Sequence, residues 1–212
     1  MFRLKSLIYP SGKCHPKYGN YIGWSFISNI IVSAESVITT HNMLSALTLN
    51  GEEAIRTANY VGKDIIGQIG GLIYMSKMGK KADVESKNFL LYSNLIQQTS
   101  YIVTCLTPFF PSYFIYVAGG ANIATNIAFT GFGAINAKCI QKLAIENNIG
   151  EVYAKISVLN TLGSSIGMMI GLGIISYTNQ GVQIGLVPIL GFGRTYTYWK
   201  AIDGLIEDII KD

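Results

Sequence analysis

Charge is scarce in this chain. Asp, Glu, Lys and Arg make up 13% of its 212 residues, about half the ~25% share of an average soluble domain. Histidine is rarer still: His15 and His41 stand far apart with no partnering cluster, which argues against a metal site or an acid–base pair built on them. The three cysteines, Cys14, Cys105 and Cys139, form no CxxC pair and read as small weakly polar side chains in a reducing compartment. No GxSxG, HExxH or paired-carboxylate constellation is present, so nothing points to a hydrolase or a known cofactor enzyme. The expectation is a protein that is not an enzyme, with no cofactor and no metal. The net charge of +4 comes from loop lysines, with no basic face interleaved with aromatics, so nucleic acid is not expected as a partner. Before Pro16 there is no apolar core long enough for a cleavable signal peptide, and the first apolar segment is expected to act as its own insertion signal.

Apolar residues are abundant. Half the chain is hydrophobic and the mean hydropathy is +0.35. Six apolar segments stand out: Tyr21–Leu47, Tyr60–Met75, Phe89–Phe109, Tyr113–Ile135, Val158–Tyr177 and Val182–Phe192. Fourteen of the sixteen Lys and Arg residues lie at one set of alternating ends of these segments. Arg3, Lys5, Lys13 and Lys17 precede the first. Lys77, Lys80, Lys81 and Lys87 follow the second. Lys138, Lys142 and Lys155 follow the fourth, and Arg194, Lys200 and Lys211 follow the sixth. The opposite links hold only Arg56, and Lys63 lies just inside segment two. Short cytoplasmic loops of membrane proteins retain Lys and Arg. The pattern therefore predicts an all-α, multi-pass transmembrane bundle of about six spans in a lipid bilayer. It would be a single domain over 1–212 with both termini cytoplasmic.

A helix needs about 20 residues to cross a ~30 Å hydrocarbon core. Val158–Tyr177 has that length, carries no charge and ends at the turn signal Asn179-Gln180-Gly181. Pro108 and Pro111 separate segments three and four and predict a short antiparallel hairpin. Segment one contains Asn29, Glu35 and His41. A carboxylate at mid-depth is costly unless it faces the bundle interior or water, so Glu35 should face inward. Segments two and six are short, and Pro188 should kink the latter. The stretch 137–157 predicts a surface helix with Ile140, Leu143 and Ala144 on one side. Tyr196–Asp212 has helical spacing with an apolar face, to lie on the membrane or pack on the bundle.

Candidate site residues are few. Gly163, Gly167 and Gly171 form one strip that lets a second helix approach closely, within the chain or at a dimer seam. In the stretch GKDIIGQIGG, Lys63 and Asp64 are adjacent and so should not face one another across a helix turn. Either one of them points inward to a partner on another helix, or both lie at the water interface. Asn122 and Asn126 are one turn apart and offer two amides to one side, to line a polar cavity or to bridge helices. Asn94, Gln97 and Gln98 invite the same two readings. The candidate cavity-lining set is Lys63, Asp64, Gln68, Asn122 and Asn126.

The order of these pieces resembles the root UVB sensitive family, linked to vitamin B6 homeostasis. The resemblance begins at Leu7-Ile8-Tyr9-Pro10 with Tyr18, Tyr21 and Trp24, and continues through Lys63–Gly70. It then takes in Asp83 and Lys87, the LTPFFP run Leu106–Pro111, and VAGGA at Val117–Ala121. It closes on Asn148 with Glu151–Lys155. The family's polar run before the glycine strip is replaced here by Val158, Leu159 and Asn160, and its larger C-terminal region is absent. The resemblance implies a multi-pass membrane protein in vitamin B6 homeostasis and carries over no catalytic residue. Six helices with both ends inside also resemble one half of a major facilitator transporter, with Gly70–Lys81 similar to a degraded version of that superfamily's loop. A lone half would associate with a copy of itself or with another chain. Two functions follow as expectations: transport or homeostasis of a small polar solute, or a non-transporting scaffold that recruits soluble partners through its basic loops. A membrane enzyme would need a convergent carboxylate or His pair, and Glu35 and His41 are spaced poorly for one face.

Overall fold

A computed structural model describes residues 8–49, 52–84, 86–203 and 205, without the side chains of residues 75, 77–84 and 86–88. Among the described residues six long α-helices carry the chain: α1 (Tyr18–Thr48), α2 (Glu53–Val84), α3 (Ser86–Cys105), α4 (Phe114–Leu143), α5 (Ile149–Tyr177) and α6 (Gln180–Ile202). Each contains all or most of one of the six apolar segments. The helices are joined by short turns with local causes. Two 3-10 turns, Thr107–Phe109 and Pro111–Tyr113, each start at a proline near their first position and reverse the chain between α3 and α4. Asn147 takes φ 58° between α4 and α5, a left-handed conformation that Asn tolerates through local hydrogen bonding. Asn179 caps α6, its side chain accepting from the Val182 N–H at 3.0 Å.

α1 is the central helix and packs most extensively on α5 and α6, while α4 packs on α2 and α3. The glycine strip makes the first of these contacts. A Cβ at Gly163 would lie 2.9 Å from the Phe26 carbonyl oxygen, one at Gly171 2.9 Å from that of Ala34, and one at Gly167 would overlap that of Ile30. The strip is therefore an intramolecular seam between α5 and α1. Glycines of α2 do the same against α4: a Cβ at Gly67 or Gly71 would press on Asn122 or Asn126. The α3–α4 pair is antiparallel, with the Ser100 hydroxyl 2.6 Å from Ala121 O and from Thr125 Oγ1 while Ser93 fits against Gly131.

The two ends of the bundle are distinct. A buried apolar cluster joins Tyr18 of α1, Leu90 of α3, Ile140 of α4, Val152 of α5 and Ile202 of α6. A strap before α1 lies over this end: Cys14 bridges Ala144, and His15 N donates to Leu143 O at 3.0 Å. Lys17 reaches Asp203 O and Asn20 reaches Lys200 O. The strap, the start of α3, the α4–α5 link and the end of α6 thus share one end, which carries basic links of the sequence pattern.

Four expectations are corrected. No separate surface helix occupies 137–157, because α4 runs to Leu143 and buries Ile140 and Leu143 in that cluster. The stretch from Tyr196 is not a separate helix either. It continues α6, with Ile202 and Leu205 buried in the cluster, and residues 206–212 lie outside the described residues. Segments two and six lie in helices of 32 and 23 residues. The basic link expected after segment two is helical to Val84, so the transporter-like loop at 70–81 is not a loop. The side chains of Lys77, Lys80, Lys81 and Lys87 are outside the described set.

Some polar side chains lie inside the bundle beside the apolar clusters, and some large apolar ones lie outside. Glu35, Gln97, Gln183 and Arg194 are buried. Ile69 and Leu72 of α2, Leu95 of α3, Met169 of α5 and Phe192 of α6 are exposed. Among the described residues, α1 and α5 are the helices long and apolar enough to cross a membrane by length and composition.

Candidate functional site

The centre of the bundle holds an ion pair. Arg194 Nη1 lies 3.1 Å from Glu35 Oε2, with the two side chains 3% and 0% exposed. Arg194 Nη2 donates to Gln98 Oε1 at 3.1 Å, Gln98 Nε2 donates to Val187 O, and the guanidinium lies 5.4 Å from the Tyr101 ring centre. Gly191 makes this possible, since a Cβ there would occupy the place of the Gln98 amide. Arg194 was grouped by sequence with the C-terminal tail. It is instead inside α6, and it supplies the partner that Glu35 needs. Taking two ions out of water costs several kcal/mol each, offset only when geometry and added hydrogen bonds are good. Here the offset is incomplete: Glu35 Oε1 and Arg194 Nε have no hydrogen-bond partner among the described residues.

Toward the basic end, Arg194 borders a half-open cavity of about 290 Å³. α1 contributes Tyr21, Ser25, Ser28 and Asn29 to its wall, α3 Asn94 and Gln97, and α5 Asn160. Phe129, Phe132 and Tyr198 add flat apolar surface. Ser25 Oγ and Asn94 Oδ1 are buried on this wall without partners. Among the described residues lining it, Arg194 alone carries a formal charge. Groups this buried are ordinarily hydrogen-bonded, so unpaired ones facing a polar cavity call for a ligand or water.

Toward the other end lies a second cavity of about 150 Å³, lined by Ser36, Thr40, Lys63, Tyr101, Asn122 and Thr125 among others. Phe129 borders both cavities. Arg194 lines the first and Tyr101, whose ring lies 5.4 Å from the guanidinium, lines the second. His41 Nδ1 and Asn42 Nδ2 meet Gln183 Oε1 at 3.2 and 3.0 Å and tie α1 to α6.

The candidate residues read from the sequence divide. Lys63 is buried and Asn122 half-buried at the second cavity. Asn122 Nδ2 donates to Asp64 Oδ1 at 2.8 Å and to Lys63 O at 3.1 Å, across the α2–α4 contact. Lys63 Nζ and Asp64 Oδ1 do meet, at 2.6 Å. Adjacency forbids a turn-to-turn contact, yet Lys63's long flexible stem lets it bend back to its neighbour, and its ammonium also lies 4.2 Å from the Tyr60 ring centre. Asn126 donates to Asn122 O within α4 and packs on Gly71, which is a packing role. Gln68 is exposed on the outer face of α2. Sequence reasoning missed Arg194, Ser25, Asn136 and Asn160 as a set. The one available signal was the need of Glu35 for an inward partner.

At the basic end, Ser11 N and Oγ donate to Glu151 at 2.8 and 2.9 Å. These bonds hold the Glu151 carboxyl below its usual range. Lys13 N donates to Glu146 Oε2, and Lys13 Nζ lies 3.6 Å from Glu146 Oε1. The strap is thus fastened by carboxylates of the α4–α5 region.

Comparison with known proteins agrees with the ordered sequence resemblance. The profile of a family described as the vitamin B6 photo-protection and homoeostasis domain matches residues 3–207. Protein root UVB sensitive 5 of Arabidopsis thaliana is 29% identical over 186 residues, covering 81% of this chain and 36% of the relative. Root UVB sensitive 4 of the same plant is 26% identical over 178 residues, covering 82% and 34%. Root UVB sensitive 2, chloroplastic, is 25% identical over 203 residues, covering 93% and 47%. The chain therefore spans between about a third and a half of the length of these relatives. No solved structure matches it.

Proposed function

The chain belongs to the vitamin B6 photo-protection and homoeostasis domain family, and from that premise we propose that it is a six-span membrane protein. In this reading it binds a small polar solute in the cavity bordered by Arg194 and passes it through the bundle. The observation that carries the reading is a pair of cavities that share Phe129, one bordered by Arg194 of the buried ion pair and the other by Tyr101 beside it. A scaffold has no need of unpaired polar groups around an internal space, whereas a pathway needs a site and a barrier. Outward-facing Ile69, Leu72, Leu95 and Phe192 suit lipid, and apolar exposure of this extent marks a membrane or partner surface. Ionisable groups inside a membrane bundle are functional candidates by default. The basic end then faces the cytoplasm or an equivalent interior compartment, and the solute is related to vitamin B6 by the family's description.

Two measurements test this. Single cysteines at Ser112 and Lys142, in sealed vesicles, should label from opposite sides, and labelling from one side would sink the six-span topology. Saturable uptake of pyridoxine into vesicles holding the purified chain, absent from empty vesicles, would support the solute pathway. Asp64→Asn keeps the side chain's shape and removes the charge that meets Lys63 and Asn122, two residues lining the second cavity, so it should alter uptake while leaving the fold intact. Undiminished uptake in that variant would remove Asp64 from the path.

A further inference from the structure

We propose that the cavity bordered by Arg194 selects a solute bearing one carboxylate, that Arg194 receives it, and that Glu35 takes up one proton as it binds. The inference rests on the solute-pathway reading and adds the solute's charge and its coupling to protons. The argument is one of charge balance in a space with little water. Arg194 borders the cavity, while Glu35, its ion-pair partner, is not among the residues lining it. A solute therefore meets the cation first. Arg194 Nε is unpartnered, and so are Ser25 Oγ and Asn94 Oδ1 on the same wall. These atoms have almost no exposed surface, so a carboxylate accepts from the Arg194 N–H and the Ser25 hydroxyl, and a solute donor meets the Asn94 oxygen, once these side chains turn toward the cavity. The flat faces of Phe132 and Tyr198 suit a ring between these points.

With Glu35 ionised the empty site is neutral, because guanidinium and carboxylate cancel. A monoanion would leave it at one net negative charge, which is costly where water cannot screen it. Arg cannot release its cation by deprotonation in a protein and a second cation does not line the cavity, so the balance must come from a proton added to Glu35. The groups facing Glu35 leave no alternative. Arg194 faces it from α6, and Tyr101 and Cys105 from α3. Tyr and Cys are already neutral near pH 7 and cannot take up the proton. Lys63 on α2 faces the second cavity and has its own carboxylate, Asp64. A dianion would remain uncompensated after one protonation, so a phosphate is disfavoured. On release the carboxylate returns to Arg194 and the proton leaves, which makes each passage carry one anion and one proton.

The test compares pyridoxine with 4-pyridoxate, in which a carboxylate replaces one hydroxymethyl group, on the full chain in lipid nanodiscs between about pH 6 and about pH 8. The expected result is that 4-pyridoxate binds more tightly than pyridoxine. Its affinity should rise as pH falls, approaching tenfold per pH unit while Glu35 is ionised in the empty site, with about one proton taken up per molecule bound. Pyridoxine affinity should be flat with pH. Glu35→Gln should bind 4-pyridoxate with no pH dependence, and the two-compound comparison on the unaltered chain decides the matter should that variant fail to fold. Pyridoxine binding as tight as 4-pyridoxate, or 4-pyridoxate binding without proton uptake, would overturn the inference and leave the solute pathway standing. Binding of neither compound would overturn both.

Discussion

Gly167→Ala should destabilise the bundle, while Gly173→Ala on the same helix should stabilise it. The two changes are chemically identical and differ only in what the new methyl meets. At Gly167 a Cβ would overlap the Ile30 carbonyl oxygen and lie 2.9 Å from both the Ile30 carbonyl carbon and Ser33 Cβ, whereas ordinary contact begins at 3.4 Å. The obstacle is backbone, so no side chain can swing aside. Gly163 and Gly171 press on the α1 backbone on either side, so α5 cannot tilt away locally. The helices must part by roughly 0.5–1 Å, and a gap of that size forfeits about a quarter to a half of each affected dispersion contact. Overpacking of this kind costs about 1–3 kcal/mol. At Gly173 nothing lies within 4 Å, and Ala should contribute about 0.5–1 kcal/mol by reducing the backbone entropy lost on folding. That helix term is common to both variants, so their difference isolates the overpacking cost. The assay is thermal unfolding in one detergent. At about 2–4 °C per kcal/mol for a chain of this size, the Gly167→Ala midpoint should fall below that of Gly173→Ala by a few degrees or more. Equal shifts would refute close packing of α5 on α1.

Removing one member of the central ion pair should cost more than removing both. Arg194→Met should destabilise by about 3–5 kcal/mol, and adding Glu35→Leu should restore most of it; denaturant unfolding of both variants would show a double change no better than the single one if the pair is not truly buried. Gly191→Ala should displace the Gln98 amide that fills its site, lowering stability by about 1–3 kcal/mol, and a neutral thermal shift would count against that network. The strap should respond to acid. Glu151 is held below its usual range when the strap is bound, so its contribution is fully present above the unfolded value of about 4.3 and is lost as pH falls through the lower folded value. Spin labels at Pro10 and Ile145 in a cysteine-replaced background should show a broader distance distribution below about pH 4, with Glu151→Ala broad at all pH values. A distribution unchanged between about pH 3 and about pH 7 would refute the fastening.

The sequence by itself determined what depends on near neighbours along the chain. Six apolar segments became six helices because hydrophobicity and helix formation are local, and Pro108, Pro111 and Asn179 ended them for reasons that act within a few residues. The four-residue spacing of Gly163, Gly167 and Gly171 required a close helix contact, since a strip without side chains has no other use in packing. It could not name the partner helix, and tertiary structure chose α1 over a second copy. The basic end was also legible, because loop lysines on alternate sides come together whenever helices alternate in direction. Local reading failed where the partner was distant. Arg194 looked like a tail cation beside Lys200, and only the fold brought it to Glu35, 159 positions away. Burying one of them requires the other, and that requirement is invisible until both helices are packed. The same holds for the cavity wall, where Ser25, Asn94, Asn136 and Asn160 come from four helices with no shared motif. Their common property is facing one space, and a space exists only once the helices around it are in place.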